Sequence, residues 1–348
     1  MKLAHEIVAL RTRHPFVIAR GGAAAHRVVQ VTLTDDDGAT GWGEAAPNRY
    51  YGETPETVVT ALERYATVLA SADAWSIEAI EAELPTVLRG NASARSAISA
   101  ALHDLAAKRL GVPLHRLWGL DPARAPRSSF TIGIVDDEGE LRRRVAEAAS
   151  YPVLKIKLGS ARDEWIVRIV RDAAPEALLR VDANAAWTPK HAVRMCALLE
   201  GVGVEFVEQP VAAHDLDGLR FVRDHSSLPI VADESCLVAT DVAHLAGRVD
   251  GVNLKLAKCG GLREAHRIVA AARAHDLRVM AGCMVETSLG ITAAAHLAPL
   301  LDWADLDGAA LLAHDPMDGA TIDGGVIRLP ERAGLGVVRR DGAGDRGG

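Results

Sequence analysis

Apolar and polar positions follow two different patterns, one before about residue 120 and one after it. In the first part, LAHEIVALRT and HRVVQVTLTDDDGATGWGEA have the spacing of β-strands around an Asp/Gly turn. Helical spacing follows from Thr54, and the Ala- and Leu-rich stretch 92–109 ends just before Gly111 and Pro113, a common helix exit. The pattern predicts an α+β domain over residues 1–120.

From Arg127 onward, short apolar runs alternate with amphipathic helical stretches, which is typical of βαβ units and a parallel sheet. The runs are SSFTIGIV, VLKIKLG, ALLRVDAN, VEFVEQP, PIVADES, GVNLKLAK, LRVMAGCMVE and ADLDGAAL. Charged residues at or near the ends of five runs are separated by 25, 26, 25 and 22 residues: Lys157, Asp182, Glu208, Asp233 and Lys255. Each separation suits one strand, one helix and two loops, so we predict a parallel barrel over residues 121–319.

The C-terminal ends of the strands in a parallel barrel meet on one face, so these five side chains are expected to share a site. One acidic residue after a strand is explained equally well as a helix cap, but five charged residues in register favour a shared site. Asp182, Glu208 and Asp233 offer hard oxygen ligands, which suit Mg²⁺ better than Zn²⁺. Bound to a substrate carboxylate, this cation would stabilise the charge created when the adjacent carbon loses its proton.

Three lysines are candidates for the base that removes this proton. Lys155 and Lys157 lie on the same side of one strand, and their repulsion and the nearby cation are expected to lower their pKa values toward the operating pH. Lys155 is expected to assist electrostatically. Lys157 and Lys255 belong to the second and sixth strands, which lie on opposite sides of a barrel mouth, as a two-base epimerisation requires.

The KxK pair of VLKIKLG, together with RVDAN, FVEQP, VADES and NLKLAKCGG, resembles the motifs of the enolase superfamily, muconate-lactonizing subgroup. The resemblance spans nearly the whole chain. It implies that Lys157 and Lys255 are acid/base catalysts and that the three carboxylates bind one Mg²⁺ per subunit. It also implies an α/β fold, a modified TIM barrel (β/α)7β with an α+β capping domain. The resemblance further implies that residues 320–340 return to the cap after the barrel. It also implies that cap segments near 20–24 and 48–54 determine substrate specificity.

The run ADLDGAAL places Asp305 and Asp307 on one side of the predicted eighth strand. Two carboxylates facing the mouth are costly unless a cation neutralises them, and a protonated substrate amine is the natural candidate. The alternative is a solvated turn before Gly308. The Asp-x-Asp pair resembles the dipeptide epimerases, which implies that it binds the substrate's N-terminal ammonium while Mg²⁺ holds the C-terminal carboxylate.

The same resemblance suggests further substrate contacts. MAGCMVETSLGITAAAHLA is similar to the family's segment whose backbone contacts the peptide, here at Cys283, Met284 and Val285. HPFVIARGG resembles a loop of the L-Ala-D/L-Glu epimerases, where an arginine pairs with the glutamate side chain, and Arg20 is the candidate.

Composition excludes several other classes of protein. The net charge of -7 comes from 39 basic and 46 acidic residues without a basic stripe, so nucleic acid is not an expected partner. The four cysteines form no CxxC pair, which argues against zinc ribbons and disulfide frameworks. No apolar run reaches a membrane span or a signal core, so the expected location is the cytoplasm, without a membrane partner. The Gly-rich end, 341–348, is predicted to be disordered. The sequence does not determine whether the protein forms a homo-oligomer.

The sequence therefore predicts a Mg²⁺-dependent dipeptide epimerase acting on L-Ala-D/L-Glu from murein peptides. One alternative is a related N-acylamino acid racemase, o-succinylbenzoate synthase or cycloisomerase, since a shared fold does not determine the substrate. Those reactions need no ammonium site. The other is a metal-binding barrel without catalytic activity.

Overall fold

The N-terminal part of the chain begins with an antiparallel sheet in this computed structural model, which describes residues 1–340. The predicted disordered tail, 341–348, lies outside the described residues. The sheet has the order β1-β2-β3, with bounds β1 (Lys2–Ile18), β2 (Gly21–Thr34) and β3 (Thr40–Ala45). The pairing of β1 with β2 is interrupted between Arg11 and Phe16. Residues 12–15 turn toward the barrel there, and the Arg13 N–H donates to the Leu311 carbonyl (2.9 Å).

Helices α1 (Pro55–Ser71), α2 (Ile77–Val87) and α3 (Ala92–Arg109) cover one face of this sheet, and the single-turn α4 (Leu114–Leu117) follows α3. The bounds of α3 match the predicted stretch. Its alanines allow close packing on β3, where an added Cβ at Gly41 or Gly43 would overlap the carbonyl oxygens of Ala101 and Ala97. Helix and sheet therefore form one apolar core around side chains such as Leu33.

Eight parallel strands form the second part and confirm the predicted (β/α)7β barrel with an α+β cap. The sheet order is β11-β10-β9-β8-β7-β6-β5-β4, and a bridge between Ser128 and Ala304 joins the two ends. The strands are β4 (Phe130–Ile132), β5 (Val153–Lys157), β6 (Leu178–Asp182), β7 (Val204–Glu208), β8 (Ile230–Ala232), β9 (Gly251–Leu254), β10 (Arg278–Gly282) and β11 (Trp303–Asp305). The helices are α5 (Glu138–Glu147), α6 (Asp163–Ala173), α7 (Pro189–Gly201), α8 (Leu216–Asp224), α9 (Ala239–Leu245), α10 (Leu256–Cys259), α11 (Leu262–Ala274) and α12 (Ser288–Ala295).

Strand alternation separates the apolar shell of the barrel from its polar mouth. On β5, Leu154 and Ile156 pack in the main core, whereas Lys155 and Lys157 point the other way. Deeper in the barrel, an apolar cluster fills the interior: Phe206, Val231, Met280 and Trp303. This cluster and the ion pair between Arg180 and Glu205 (2.8 Å) close the barrel below, and the charged residues of the predicted site lie at the end where the strands finish.

The segment after the barrel contacts both parts of the chain. It contains two short antiparallel pairs, β12 (Met317–Asp318) with β15 (Val338–Arg339) and β13 (Thr321–Asp323) with β14 (Val326–Arg328). The Leu335 N–H donates to Asp104 on α3 (2.7 Å), and the Leu335 carbonyl lies 3.1 Å from Nε2 of His296, just after α12. Within residues 1–340, no helix combines the length and the apolar character that a membrane crossing needs.

Candidate active site

A cavity of about 730 Å³ lies between the β1–β2 hairpin and the C-terminal ends of the barrel strands. Nine of the predicted site residues line it: Arg20, Lys157, Asp233, Lys255, Cys283, Met284, Val285, Asp305 and Asp307. The other three, Lys155, Asp182 and Glu208, are completely buried. Lys155 contacts Asp305 and Asp182 contacts Lys157, both of which line the cavity, and Glu208 contacts Lys155. The fold thus brings all the predicted residues together at one end of the barrel.

Three carboxylates stand side by side on successive strands. Asp182 and Glu208 end β6 and β7, Asp233 follows β8 directly, and one oxygen from each lies within 4.8 Å of the others. Two further buried oxygens near this triad, Oδ1 of Asn184 and Oε2 of Glu234, have no hydrogen-bond partner among residues 1–340. An all-oxygen donor set with unpartnered oxygens beside it fits a hard divalent cation such as Mg²⁺.

Lysines neutralise the triad from both sides. Lys157 Nζ lies 2.6 Å from Asp182, and Lys255 Nζ lies 2.8 Å from Asp233. Lys155 contacts Glu208 (2.7 Å) and Asp182 (3.5 Å). The expected lowering of the pKa is wrong for Lys155, and Lys255, for which no lowering was predicted, behaves in the same way. Burial lowers their pKa values, but the surrounding carboxylates outweigh burial, and both pKa values lie above the ordinary lysine value.

Lys258 is a member of this cluster that the sequence analysis missed. Its fully buried ammonium donates to Asp233 Oδ1 (2.7 Å) and to the carbonyls of Asp233 (2.5 Å) and Asn253 (2.7 Å). The available signal was its spacing of three from Lys255, which turns both lysines toward Asp233 once α10 forms. Lys258 therefore holds Asp233 in the orientation seen here.

We expect Lys258→Met to weaken Mg²⁺ binding by about 10- to 100-fold, because Asp233 loses the donor that orients it. Isothermal titration of Mg²⁺ into the protein measures this change. Lys190→Met, at an exposed lysine on α7, is the matched control and should bind Mg²⁺ as the unmodified chain does. Equal or tighter Mg²⁺ binding by Lys258→Met would show that the charge of Lys258 only opposes the cation.

Asp305 and Asp307 are both buried, so the alternative of a solvated turn does not hold. One detail of the prediction is wrong: β11 ends at Asp305, and Asp307 lies beyond it. Asp305 is already neutralised by Lys155 (2.7 Å). Asp307 accepts a hydrogen bond from the Thr131 N–H (2.6 Å), and burial together with Asp305 raises the pKa of Asp307 to about 7. Among residues 1–340, Asp307 is therefore the member of this pair that has no positively charged partner, and a bound cation would stabilise its carboxylate.

Arg20 occupies the turn between β1 and β2, and residues 21–24 belong to β2 rather than to a loop. The guanidinium donates to Glu234 Oε1 (2.7 Å) and to the Asn184 carbonyl (2.7 Å), and its carbon lies 4.2 Å from the centre of the Tyr50 ring. The sequence did not indicate the pairing with Glu234. Because a guanidinium has five N–H donors, Arg20 keeps donors for a further acceptor.

The segment that follows β10 forms the wall beside Asp307. Its Met284 N–H donates to Glu286 (2.8 Å), and the Met284 sulfur lies 3.6 Å from the side-chain nitrogen of Asn48 in the cap. An added Cβ at Gly308 would overlap the Met284 carbonyl oxygen, so only glycine allows these two loops to approach. The site is therefore assembled from barrel and cap together.

Three carboxylates on successive barrel strands, flanked by lysines on the second and sixth strands, define the type of site found in the enolase superfamily. The sequence agrees with this class. It matches the mandelate racemase / muconate lactonizing enzyme N-terminal domain over residues 3–119 and the enolase C-terminal domain-like family over residues 138–342. The chain belongs to the mandelate racemase / muconate lactonizing enzyme family. This membership confirms the predicted class of enzyme, an isomerase of the racemase and epimerase type.

Similar proteins cover almost the entire chain. An L-Ala-D/L-Glu epimerase from Bacteroides thetaiotaomicron is 37% identical over 341 residues, which are 97% of this chain and 88% of that protein. A hydrophobic dipeptide epimerase from Roseobacter litoralis is 40% identical in an alignment of 350 positions that covers 97% of this chain and 99% of that protein. The crystal structure of a dipeptide epimerase from Enterococcus faecalis, complexed with Mg and L-Leu-L-Tyr, has a TM-score of 0.91 at 33% identity, covering 97% and 98% of the two chains.

Proposed function

We propose that this protein is a Mg²⁺-dependent dipeptide epimerase that inverts the α-carbon of the C-terminal residue. One observation carries the proposal: a buried Asp pair with unmet demand for a cation lines the same cavity as two lysines and a carboxylate triad. A dipeptide has a terminal ammonium and a terminal carboxylate, with the reacting carbon beside the carboxylate. Its ammonium therefore complements the Asp pair, and its carboxylate complements a Mg²⁺ ion held by the triad.

Asp182, Glu208 and Asp233 would hold one Mg²⁺ per chain, and this ion supplies positive charge next to the substrate carboxylate when it is bound. Lys157 ends β5 and Lys255 follows β9, two strands on opposite sides of the mouth, and both lysines line the cavity. A neutral lysine on one side removes the α-proton, and the protonated lysine on the other side returns a proton to the opposite face of the carbon. The carbon is inverted, and the two lysines exchange protonation states.

Asp307 favours a dipeptide over an N-acylated amino acid. An acyl substrate has no ammonium to offer Asp307, which has no lysine or arginine partner within the described part of the chain. The N-acylamino acid racemase, o-succinylbenzoate synthase and cycloisomerase reactions would therefore leave a buried carboxyl without the cation for which the site is arranged. A barrel without catalytic activity does not explain why both lysines face the cavity.

We propose L-Ala-D/L-Glu as the main substrate, with Arg20 binding the glutamate carboxylate. Arg20 lines the cavity and keeps free N–H donors beside Glu234. Such a substrate would come from murein peptides. We further propose that residues 1–120 and 320–340 form the cap, that residues 121–319 form the catalytic barrel, and that the cap places Arg20 over the barrel mouth.

The experiment is incubation of the purified protein with Mg²⁺ in D₂O and a set of L-Ala-D-Xaa dipeptides, followed by mass spectrometry of the C-terminal α-carbon. We expect deuterium to enter L-Ala-D-Glu fastest, and Arg20→Met to remove this preference while other dipeptides still exchange. Arg49→Met, at an arginine that also lines the cavity, is the matched control. Exchange mainly in apolar or basic dipeptides would contradict the glutamate preference, and exchange only in N-acylated amino acids would contradict the dipeptide reaction.

A further inference from the structure

Strained backbone lies directly beyond two of the strands that carry the triad. In the described part of the chain, five residues other than glycine have a φ in the left-handed region, and three of them lie here: Asn184 (φ 45°), Ala185 (φ 64°) and Gln209 (φ 33°). Asn184 lies two residues after Asp182, and Gln209 immediately follows Glu208. A side chain makes this conformation costly, so it persists only where surrounding contacts hold it.

The side chain of Gln209 supplies such contacts. It is fully buried, and its amide uses all four of its hydrogen-bonding positions. Oε1 accepts from the N–H groups of Asp233 (2.9 Å) and Ser235 (3.1 Å). Nε2 donates to the Val211 carbonyl (2.9 Å) and to the Ser235 hydroxyl (2.9 Å). The amide therefore joins the segment after β7 to the segment after β8, at the backbone of a triad residue.

The backbone of Gln209 reaches the third segment. Its carbonyl accepts from the N–H of Ala185, which follows β6 (2.8 Å), and its N–H donates to the carbonyl of Val231 on β8 (2.8 Å). One residue thus connects the three segments that carry the triad. Each triad residue ends its strand or follows it directly, so movement of these segments would change the distances between the triad oxygens.

Distances between ligand oxygens decide which cation a site favours. Mg²⁺ binds oxygens at about 2.0–2.1 Å in nearly ideal octahedral geometry, whereas Ca²⁺ binds them at about 2.3–2.6 Å and tolerates flexible arrangements. In the triad, one oxygen of each carboxylate lies within 4.8 Å of the others. A framework that keeps these oxygens from moving apart therefore favours the smaller ion.

We infer that Gln209 is a positioning residue that fixes the spacing of the triad, and that this spacing favours Mg²⁺ relative to Ca²⁺. Gln209 does not line the cavity, so it acts through the segments that it joins. The inference rests on the Mg²⁺ site of the proposed function. It concerns the choice of ion, whereas Arg20 concerns the choice of dipeptide.

Isothermal titration of MgCl₂ and, separately, of CaCl₂ into the metal-free protein tests the inference, because it gives both dissociation constants without reference to turnover. Gln209→Met keeps a side chain of similar length and loses all four hydrogen bonds. We expect it to weaken Mg²⁺ binding by about tenfold or more and Ca²⁺ binding by no more than about threefold. Gln30→Met is the matched control: it removes a buried amide of the cap, which donates to Glu44 (3.0 Å), and should leave both affinities unchanged.

Gln209→Gly provides a second variant if Gln209→Met fails to fold, because glycine adopts a left-handed φ without strain and also lacks the amide. It should change the two affinities in the same way, and thermal unfolding of the metal-free protein shows which variants are folded. Equal losses for both ions in a folded variant, or no loss for either, would overturn the role of Gln209, while Mg²⁺ binding by the unmodified chain would still support the proposed function. An unmodified chain that binds no Mg²⁺ would instead overturn the metal site of the proposed function, and the inference with it.

Discussion

Lys157→Ala and Lys255→Ala are each expected to lower the rate of epimerisation by at least about 10³-fold, because inversion needs a proton donor on one face of the α-carbon and a base on the other. Both ammonium groups reach the cavity, and each is paired with a different carboxylate of the triad. Proton NMR in D₂O, started separately from each stereoisomer, follows both inversion and loss of the α-proton signal.

The two variants should differ in the exchange that remains. Each keeps one lysine and should exchange the α-proton of the single stereoisomer whose proton faces that lysine, so the two variants select opposite isomers. Lys190→Ala, on the exposed surface of α7, serves as the control for loss of a lysine charge. Normal inversion in both Lys157→Ala and Lys255→Ala would rule out the two-base mechanism, and exchange of the same isomer by both would place the lysines on one side of the carbon.

Glu208→Gln is expected to lower Mg²⁺ affinity and turnover by at least about 100-fold each, because it removes one charge from the triad while keeping the shape of the side chain. Glu208 is fully buried, and its Oε1 accepts a hydrogen bond from Asn253 (2.8 Å). A glutamine oxygen can still accept this bond, while the glutamine NH₂ replaces the oxygen that Lys155 contacts (2.7 Å), so the change removes the charge and that ion pair together. Isothermal titration measures Mg²⁺ binding without reference to turnover.

The same strand provides the matched control. Glu205 lies three residues earlier on β7 and pairs with Arg180 (2.8 Å), away from the cavity. Glu205→Gln removes an identical charge from the other end of the strand and should leave Mg²⁺ affinity unchanged. Unchanged Mg²⁺ affinity in Glu208→Gln would show that the ion does not bind at the triad, and equal losses in both variants would indicate a general loss of folding.

The barrel and the triad were predictable because both depend on local repetition. A strand, a helix and two loops occupy about 25 residues, so charged residues at that period must end successive strands on one face. This reasoning predicted a shared site for Asp182, Glu208 and Asp233, and in the structure one oxygen of each lies within 4.8 Å of the others. The helix 92–109 was predictable for a similar reason, since its spacing and its end signals lie within the segment itself.

The charge balance of the site was not predictable in this way. The expected fall in the lysine pKa values rested on Lys155 and Lys157 repelling each other, two neighbours in sequence. In the structure, the Lys155 ammonium contacts Asp305, which lies 150 residues away in the chain. Around Lys155, carboxylates outnumber the other lysines. Repulsion along one strand is thus outweighed by attraction across the barrel.

By itself, the sequence determined the order of the elements, the superfamily, and which carboxylates and lysines end the barrel strands, because these features depend on spacing along the chain. Only the tertiary structure decided which charges pair. It joined Arg20 to Glu234, Lys258 to Asp233 and Lys155 to Asp305, and it placed the β1–β2 hairpin over the barrel mouth. Ion pairs and cavity walls depend on distances in space between segments far apart in the chain, and closure of the barrel sets those distances.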